Sequence, residues 1–259
     1  MTKISIVTIT YNAADVLRVT LDSVLRQHHP CLEHIIVDGA STDGTVDIAN
    51  AYKTRSAAEV PEHEVSVVSE PDKGLYDAMN KGLRRATGDY VCFLNAGDWL
   101  PSDNTLDLVV EMAAKTTGMK PAVIYGDTDL VDKDGHFIGH RRLSPPEKLT
   151  WRSFKQGMLV CHQAFYARMD LARQVEYDTR YRFSADVDWC IRVMKLAEKE
   201  KAPLCRIDAV LVNYLHEGQT TKNHKKSLRE RFDVMRRHYG LVTTIALHCW
   251  FVVRALLKR

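Results

Sequence analysis

At 259 residues, 45% hydrophobic and 27% charged, the chain has the balance of a folded globular protein, which excludes intrinsic disorder and a multi-span membrane protein. A formal net charge of +3 is too mild to call for nucleic acid, although the cations crowd the C-terminal third. The length suits one α/β unit with two halves.

The alternation of patterns sets the fold class. Residues 4–10 form a β-branched run, and Asn12 stands where it can cap a helix carrying Val16, Leu17, Leu21, Val24 and Leu25. A strand over 32–37, a helix near 44–52, a strand over 64–69, a helix over 75–86 and a strand over 90–94 follow. This order predicts a mostly parallel sheet flanked by helices, whose central strands read as nearly unbroken apolar runs because both faces are covered. After a helix at 104–115 the rhythm changes. Strands near 122–126 and 137–141 around the Asp134-Gly135 turn signal predict a small antiparallel extension, and Pro145-Pro146 breaks the chain. A strand near 159–167, a helix over 187–199 and a strand over 204–214 complete the pattern. The expected organisation is one catalytic unit over 1–240, with halves 1–117 and 118–240, then a tail over 241–259.

The six cysteines form no Cys-x-x-Cys pair, and several lie in apolar runs, so reduced, buried thiols are expected. Met1-Thr2-Lys3 leads into a short apolar strand rather than the long apolar stretch of a signal peptide, which points to a cytosolic location.

In an open parallel sheet, ligands bind beyond the carboxyl ends of the strands. Four such ends are polar here: Thr10-Tyr11-Asn12, Asp38 to Gly44, Glu70-Pro71-Asp72-Lys73-Gly74, and Asn95-Ala96-Gly97-Asp98. Asp, Asn, Ser and Gly also serve as ordinary turn and cap residues, so no single loop decides the matter. Asp38 follows three apolar residues and should stand at the end of the sheet. Asn95 and Asp98 offer an amide oxygen and a carboxylate on a glycine-bearing turn, ligands that suit a hard divalent ion, Mg²⁺ or Mn²⁺, completed by water and phosphates.

Together these segments resemble the family 2 glycosyltransferases of the GT-A fold, especially bacterial polysaccharide-assembly enzymes. The likeness rests on residues 5–12, on Asp38-Gly39-Ala40-Ser41-Thr42-Asp43-Gly44-Thr45, on residues 69–82 with Asp72-Lys73-Gly74-Leu75-Tyr76-Asp77, and on residues 86–98. It implies a nucleotide-sugar donor, UDP-linked by the family's commonest usage, with a saccharide or lipid-linked acceptor. Thr10, Tyr11, Asn12, Asp38, Asp72, Lys73, Asn95, Ala96 and Gly97 would meet the donor, Tyr11 stacking on the base and Asp38 binding its imino edge. Asp98 would hold the metal. Asn95 stands where the family commonly has Asp.

In the second half the matching segment is Phe183-Ser184-Ala185-Asp186-Val187-Asp188-Trp189, followed by Arg192. The resemblance makes Asp186 the base of an inverting transfer, taking the acceptor proton. Ala185 replaces the usual acidic neighbour. Asp188 falls beside it as an acceptor-binding candidate, although its spacing to Arg192 also fits an intrahelical pair. His162 and Gln163 resemble the acceptor-side loop. His216, opening the segment 216–221, resembles the loop that closes on the diphosphate and would ligate the metal or contact phosphate.

The tail interleaves Arg254, Lys258 and Arg259 with apolar residues 245–247 and 250–253, which suits an interfacial helix on the cytoplasmic face of the inner membrane, or a packed helix. His248 and Arg254 interrupt the run too early for a spanning helix. A sugar nucleotidyltransferase or dinucleotide oxidoreductase would need a glycine-rich loop after the first strand, where Tyr11-Asn12-Ala13-Ala14 stands instead. A catalytically silent saccharide-binding protein of a membrane assembly complex is the alternative of a different class.

Overall fold

The computed structural model describes residues 1–116, 118–216 and 224–257. Strands β1 (Ile4–Thr10), β2 (Leu32–Asp38), β3 (Glu64–Ser69) and β4 (Tyr90–Phe93) pair in parallel in the order β3-β2-β1-β4. Helices α1 (Ala14–Leu25), α2 (Thr45–Glu59) and α3 (Leu75–Arg85) make the crossovers, and α4 (Thr105–Lys115) follows β4. Every residue of β1, β2 and β4 is buried, the polar Ser5, Thr8, Glu33 and His34 included, as strands covered on both faces require. Alternate side chains divide between the layers: Val7, Ile35 and Phe93 join one core cluster, and Ile4, Ile6 and Cys92 another.

The second half continues the same sheet. β7 (Phe165–Arg168) lies antiparallel between β4 and β5 (Val123–Val131); β6 (Phe137–His140) pairs antiparallel with β5, and β8 (Leu204–Leu215) runs parallel to it. The short α5 (Met169–Ala172) and the long α6 (Ala185–Glu200) cover this half, with α7 (His224–Tyr239) and α8 (Leu241–Leu257) beyond. The whole is an α/β fold with a parallel core, whose antiparallel part is built into the sheet rather than hung on its edge. Trp189, fully buried, stacks on Tyr177 and meets Phe93 and Phe165 edge-on, which joins the two halves in one core.

Three expectations need correction. Asn12 is not a helix cap. α1 starts at Ala14, while Asn12 adopts φ 47°, a conformation asparagine tolerates, and its Oδ1 accepts the Thr42 N–H at 2.9 Å. The segment 159–167 is strand only from Phe165 on; a 3-10 turn over His162–Ala164 precedes it. The thiols are all free, but only Cys92, Cys161 and Cys190 are buried, and Cys249 is exposed.

Candidate active site

The polar ends of β1 to β4 converge as their sequence pattern requires. The loops after β1 and β2 are stapled together: Ser41 Oγ accepts the Asn12 N–H, Thr45 Oγ1 the Ala13 N–H, and Asp43 the Ala14 N–H. Side chains of the second loop thus satisfy the open amide groups at the start of α1. Tyr11 is left 65% exposed with its ring edge over Gly39. A Cβ on Gly39 would lie 2.4 Å from the Asp72 carboxylate, so any larger residue would displace Asp72 from its close approach to the Tyr11 and Asp38 loops. Asp72 accepts the Gly74 N–H, and the exposed Lys73 anchors its own N–H on Asp77.

Asp38 is fully buried. Its carboxylate accepts the hydroxyls of Thr10, Ser41 and Ser69 and the Ser41 N–H. Burial alone would raise its pKa, but the bonds from Ser41, Ser69 and Thr10 outweigh burial and hold it below the ordinary value. To reach a nucleobase, Asp38 must exchange one of these donors for it.

At the end of β4 the chain turns through Asn95, Ala96 and Gly97 to Asp98. Gly97 has φ 97°, and a Cβ there would lie 2.9 Å from the Leu215 side chain. Asp98 is only 4% exposed; its two oxygens accept the Leu215 N–H at 3.0 Å and the Gln163 amide at 2.7 Å. Burial pushes its pKa up to about 6 against the pull of those two bonds. The bond to Leu215 brings the end of β8 here, and the exposed His216 follows directly, held by its N–H on Val131 O. The loop expected to close after His216 lies outside the described residues.

Asp186 opens α6. Its Oδ1 accepts the Tyr76 hydroxyl at 3.1 Å and the Val187 N–H at 2.9 Å, and Oδ2 lies 3.4 Å from His162 Nδ1. The carboxylate keeps 17% exposure. Burial favours its neutral form, but the hydrogen bond and charge of His162, with the charge of Arg231, outweigh burial and lower its pKa. The other ring nitrogen of His162 lies 3.4 Å from the Asn95 amide. One short segment, His162-Gln163, therefore touches both the Asn95–Asp98 turn and Asp186, which brings the two aspartates to either side of it.

Asp188 does not share these contacts. It is 1% exposed, with Oδ2 on Arg192 Nε and Oδ1 on His238 Nε2, both at 2.7 Å. Two residues along a helix point to different sides, so the acceptor-binding expectation for Asp188 gives way to a structural ion pair. Tyr76 was missed, although its spacing to Met79, Asn80 and Leu83 puts it on the inward face of α3. Asp132, Asp134 and His136 also cluster, at the tip of the β5–β6 hairpin. There Asp132 accepts the N–H groups of Asp134 and His136, an ordinary turn closure.

The model of glycosyl transferase family 2 matches residues 5–175. The chain belongs to that family. This family 2 glycosyltransferase is 36% identical over 190 residues to a PGL/p-HBAD biosynthesis glycosyltransferase of Mycobacterium bovis, covering 73% of this chain and 68% of the relative. It is 29% identical over 240 residues to an uncharacterized glycosyltransferase of Mycobacterium tuberculosis, covering 91% and 85%. Among solved structures it resembles S. aureus TarS in complex with UDP-GlcNAc, with TM-score 0.68, 18% identity, and 90% and 64% coverage. It also resembles the mannosyltransferase PcManGT of Pyrobaculum calidifontis with GDP-Man and Mn²⁺, with TM-score 0.63, 19% identity, and 99% and 79% coverage. These structures establish the GT-A fold for this family 2 glycosyltransferase.

Proposed function

We propose that this glycosyltransferase inverts configuration as it moves a sugar from a UDP-sugar to a hydroxyl of a saccharide or lipid-linked acceptor in surface polysaccharide assembly. The observation that supports the reading is the contact path Asp98–Gln163 and His162–Asp186, which links a carboxylate suited to a metal and a carboxylate suited to a base across one proposed crevice. The donor lies over Tyr11, Asp72 and the turn from Asn95 to Gly97, with Thr10 and Asn12 shaping the floor and Lys73 at the rim. Asp186 takes the proton of the acceptor hydroxyl as that oxygen attacks, while Tyr76 and the Val187 N–H fix the carboxylate's orientation. His162 and Gln163 border the acceptor side.

The Asn95–Asp98 turn fits a divalent ion, Mg²⁺ or Mn²⁺: Asn95 Oδ1 is enclosed without a hydrogen-bond partner among the described residues, beside the buried Asp98 carboxylate. Asn95 and Asp98 would hold the ion, with His216 next to them at the end of β8. Such an ion neutralises charge on the departing diphosphate.

We assign the protein to the cytoplasmic face of the inner membrane, as a peripheral protein. Among the described residues no helix is long and apolar enough to cross a membrane. α8 exposes Leu241, Val242, Ile245, Trp250 and Val253, a face that suits shallow insertion beside the cations of α7. If the chain cut after Tyr239 sediments with anionic vesicles as fully as the whole chain, the anchoring role is wrong.

The catalytic reading is tested by nucleoside diphosphate release in membrane extract. Asp186→Asn is expected to lose about 10²- to 10⁴-fold in rate, the range for a general base, while binding UDP as the native chain does. Full activity in a folded Asp186→Asn protein overturns the assignment. UDP binding with no turnover by the native chain across a donor and acceptor panel favours the silent binding protein.

A further inference from the structure

Helix α7 turns Ser227, Val234 and Met235 inward; each is no more than 6% exposed, and the His238 side chain on the same face is 6% exposed. Arg231 stands four residues after Ser227 and seven before His238, so it lies on this inward face. The helix is clamped to the segment that leads into Asp186. Glu230 accepts the N–H groups of Arg182 and Phe183 at 2.9 and 2.7 Å, and Ser227 O accepts the Ser184 hydroxyl.

Two neighbouring arginines of α7 have carboxylate partners, Arg236 on Asp233 and Arg237 on Asp178, and His238 bonds Asp188. Arg231 forms no ion pair among the described residues, and its Nε is enclosed without a hydrogen-bond partner. It is half-buried, and its charge acts on Asp186. This position is unfavourable twice over. An enclosed Nε–H without an acceptor forgoes its hydrogen bond to water, and a cation near a general base weakens that base. An anion brought in by the substrate relieves both.

We infer that Arg231 is a binding residue for a phosphate or diphosphate group of a substrate, received at the wall of the crevice beside Asp186. This rests on the transferase reading above. The planar fork of arginine suits two phosphate oxygens at once, which a lysine cannot match. Two sources carry this chemistry: the donor diphosphate, and the phosphate that links an acceptor saccharide to a lipid.

The test titrates the whole native chain, Arg231→Gln and Arg231→Lys with UDP, with farnesyl diphosphate in detergent, and with inorganic pyrophosphate, which needs no nucleoside recognition. At least one anion is expected to bind about tenfold or more weakly to Arg231→Gln, with partial recovery in Arg231→Lys. A loss confined to UDP and pyrophosphate assigns the donor diphosphate. A loss for farnesyl diphosphate with UDP unchanged assigns the acceptor phosphate. The thermal midpoint of Arg231→Gln is expected to stay level or rise, because an unpaired inward charge is removed; a fall would mark a merely structural arginine. The inference is overturned if all three anions bind Arg231→Gln as they bind the native chain, or if none binds the native chain. If UDP fails to bind the native chain while pyrophosphate binding depends on Arg231, the donor assignment falls and this site stands.

Discussion

Replacing Asp98 by Asn separates the two things a buried carboxylate does. In the metal-free protein Asp98 is enclosed and its pKa is raised from 3.8 to about 6, so its charged form is disfavoured by burial. A raised carboxyl pKa means that the folded state holds a proton the unfolded state has released. The resulting penalty is absent below the unfolded pKa, grows as pH rises from there, and is fully present above the folded one. From that shift the penalty comes to about 2 kcal/mol near about pH 5 and about 3 kcal/mol near about pH 7.5. Asn keeps an acceptor for the Leu215 N–H, and Gln163 can turn its amide to match the new NH₂ group. Urea unfolding of chelator-treated native and Asp98→Asn proteins at both pH values measures the difference. The Asn variant should be the more stable, with its advantage greater by about 1 kcal/mol at the higher pH. Added Mn²⁺ with UDP should then stabilise the native chain far more than the variant. A variant less stable than the native chain by the same amount at both pH values would refute this account of Asp98.

The same proton governs metal affinity. Binding the ion displaces it, so at limiting Mn²⁺ the apparent affinity, followed by activity, should fall as pH drops below about 6 and level off above; a flat profile contradicts it. Asp188→Ala should lower stability by about 3–5 kcal/mol in denaturant unfolding, because it strands Arg192 and His238 around a buried gap; a change below about 1 kcal/mol would show that the pair does not matter. Gly39→Ala, whose new methyl meets the Asp72 carboxylate, should weaken UDP binding about tenfold with little change in thermal midpoint, and unchanged binding would rule out the proposed meeting of the Tyr11 and Asp72 loops over the donor.

The parallel core was legible because its strands are short apolar runs that end in polar loops, and those patterns survive without any knowledge of contacts. β3 matches the expected 64–69, and most other elements differ by a residue or two at their ends. α2 runs on to Glu59, seven residues past expectation, since its polar C-terminal half lacks an apolar stripe to mark it. Asn12 misled because a helix cap and a loop bridge use the same side chain, and only the position of the Thr42 amide decides between them. The insertion of β7 between β4 and β5 left no local mark, since pairing order depends on partners distant in sequence.

In the site, the roles of neighbours were harder to read than their presence. Asp186 and Asp188 share one motif, and the Arg192 spacing hinted at the pair that removes Asp188 from the crevice; His238, its second partner, arrives from a different helix. The link from Asp98 through Gln163 and His162 to Asp186 spans three separate elements, and no periodicity encodes it.

The proposed catalysis needs one ion at Asp98 working beside one base at Asp186. Methyl resonances of Val187, next to that base, and of Val60, at the far end of α2, can be compared with Mg²⁺–UDP and with paramagnetic Mn²⁺–UDP. Strong Mn²⁺ broadening of Val187, weak broadening of Val60, and loss of the Val187 effect in Asp98→Asn are expected. Equal broadening of both methyls, or broadening that survives Asp98→Asn, contradicts the proposed catalysis.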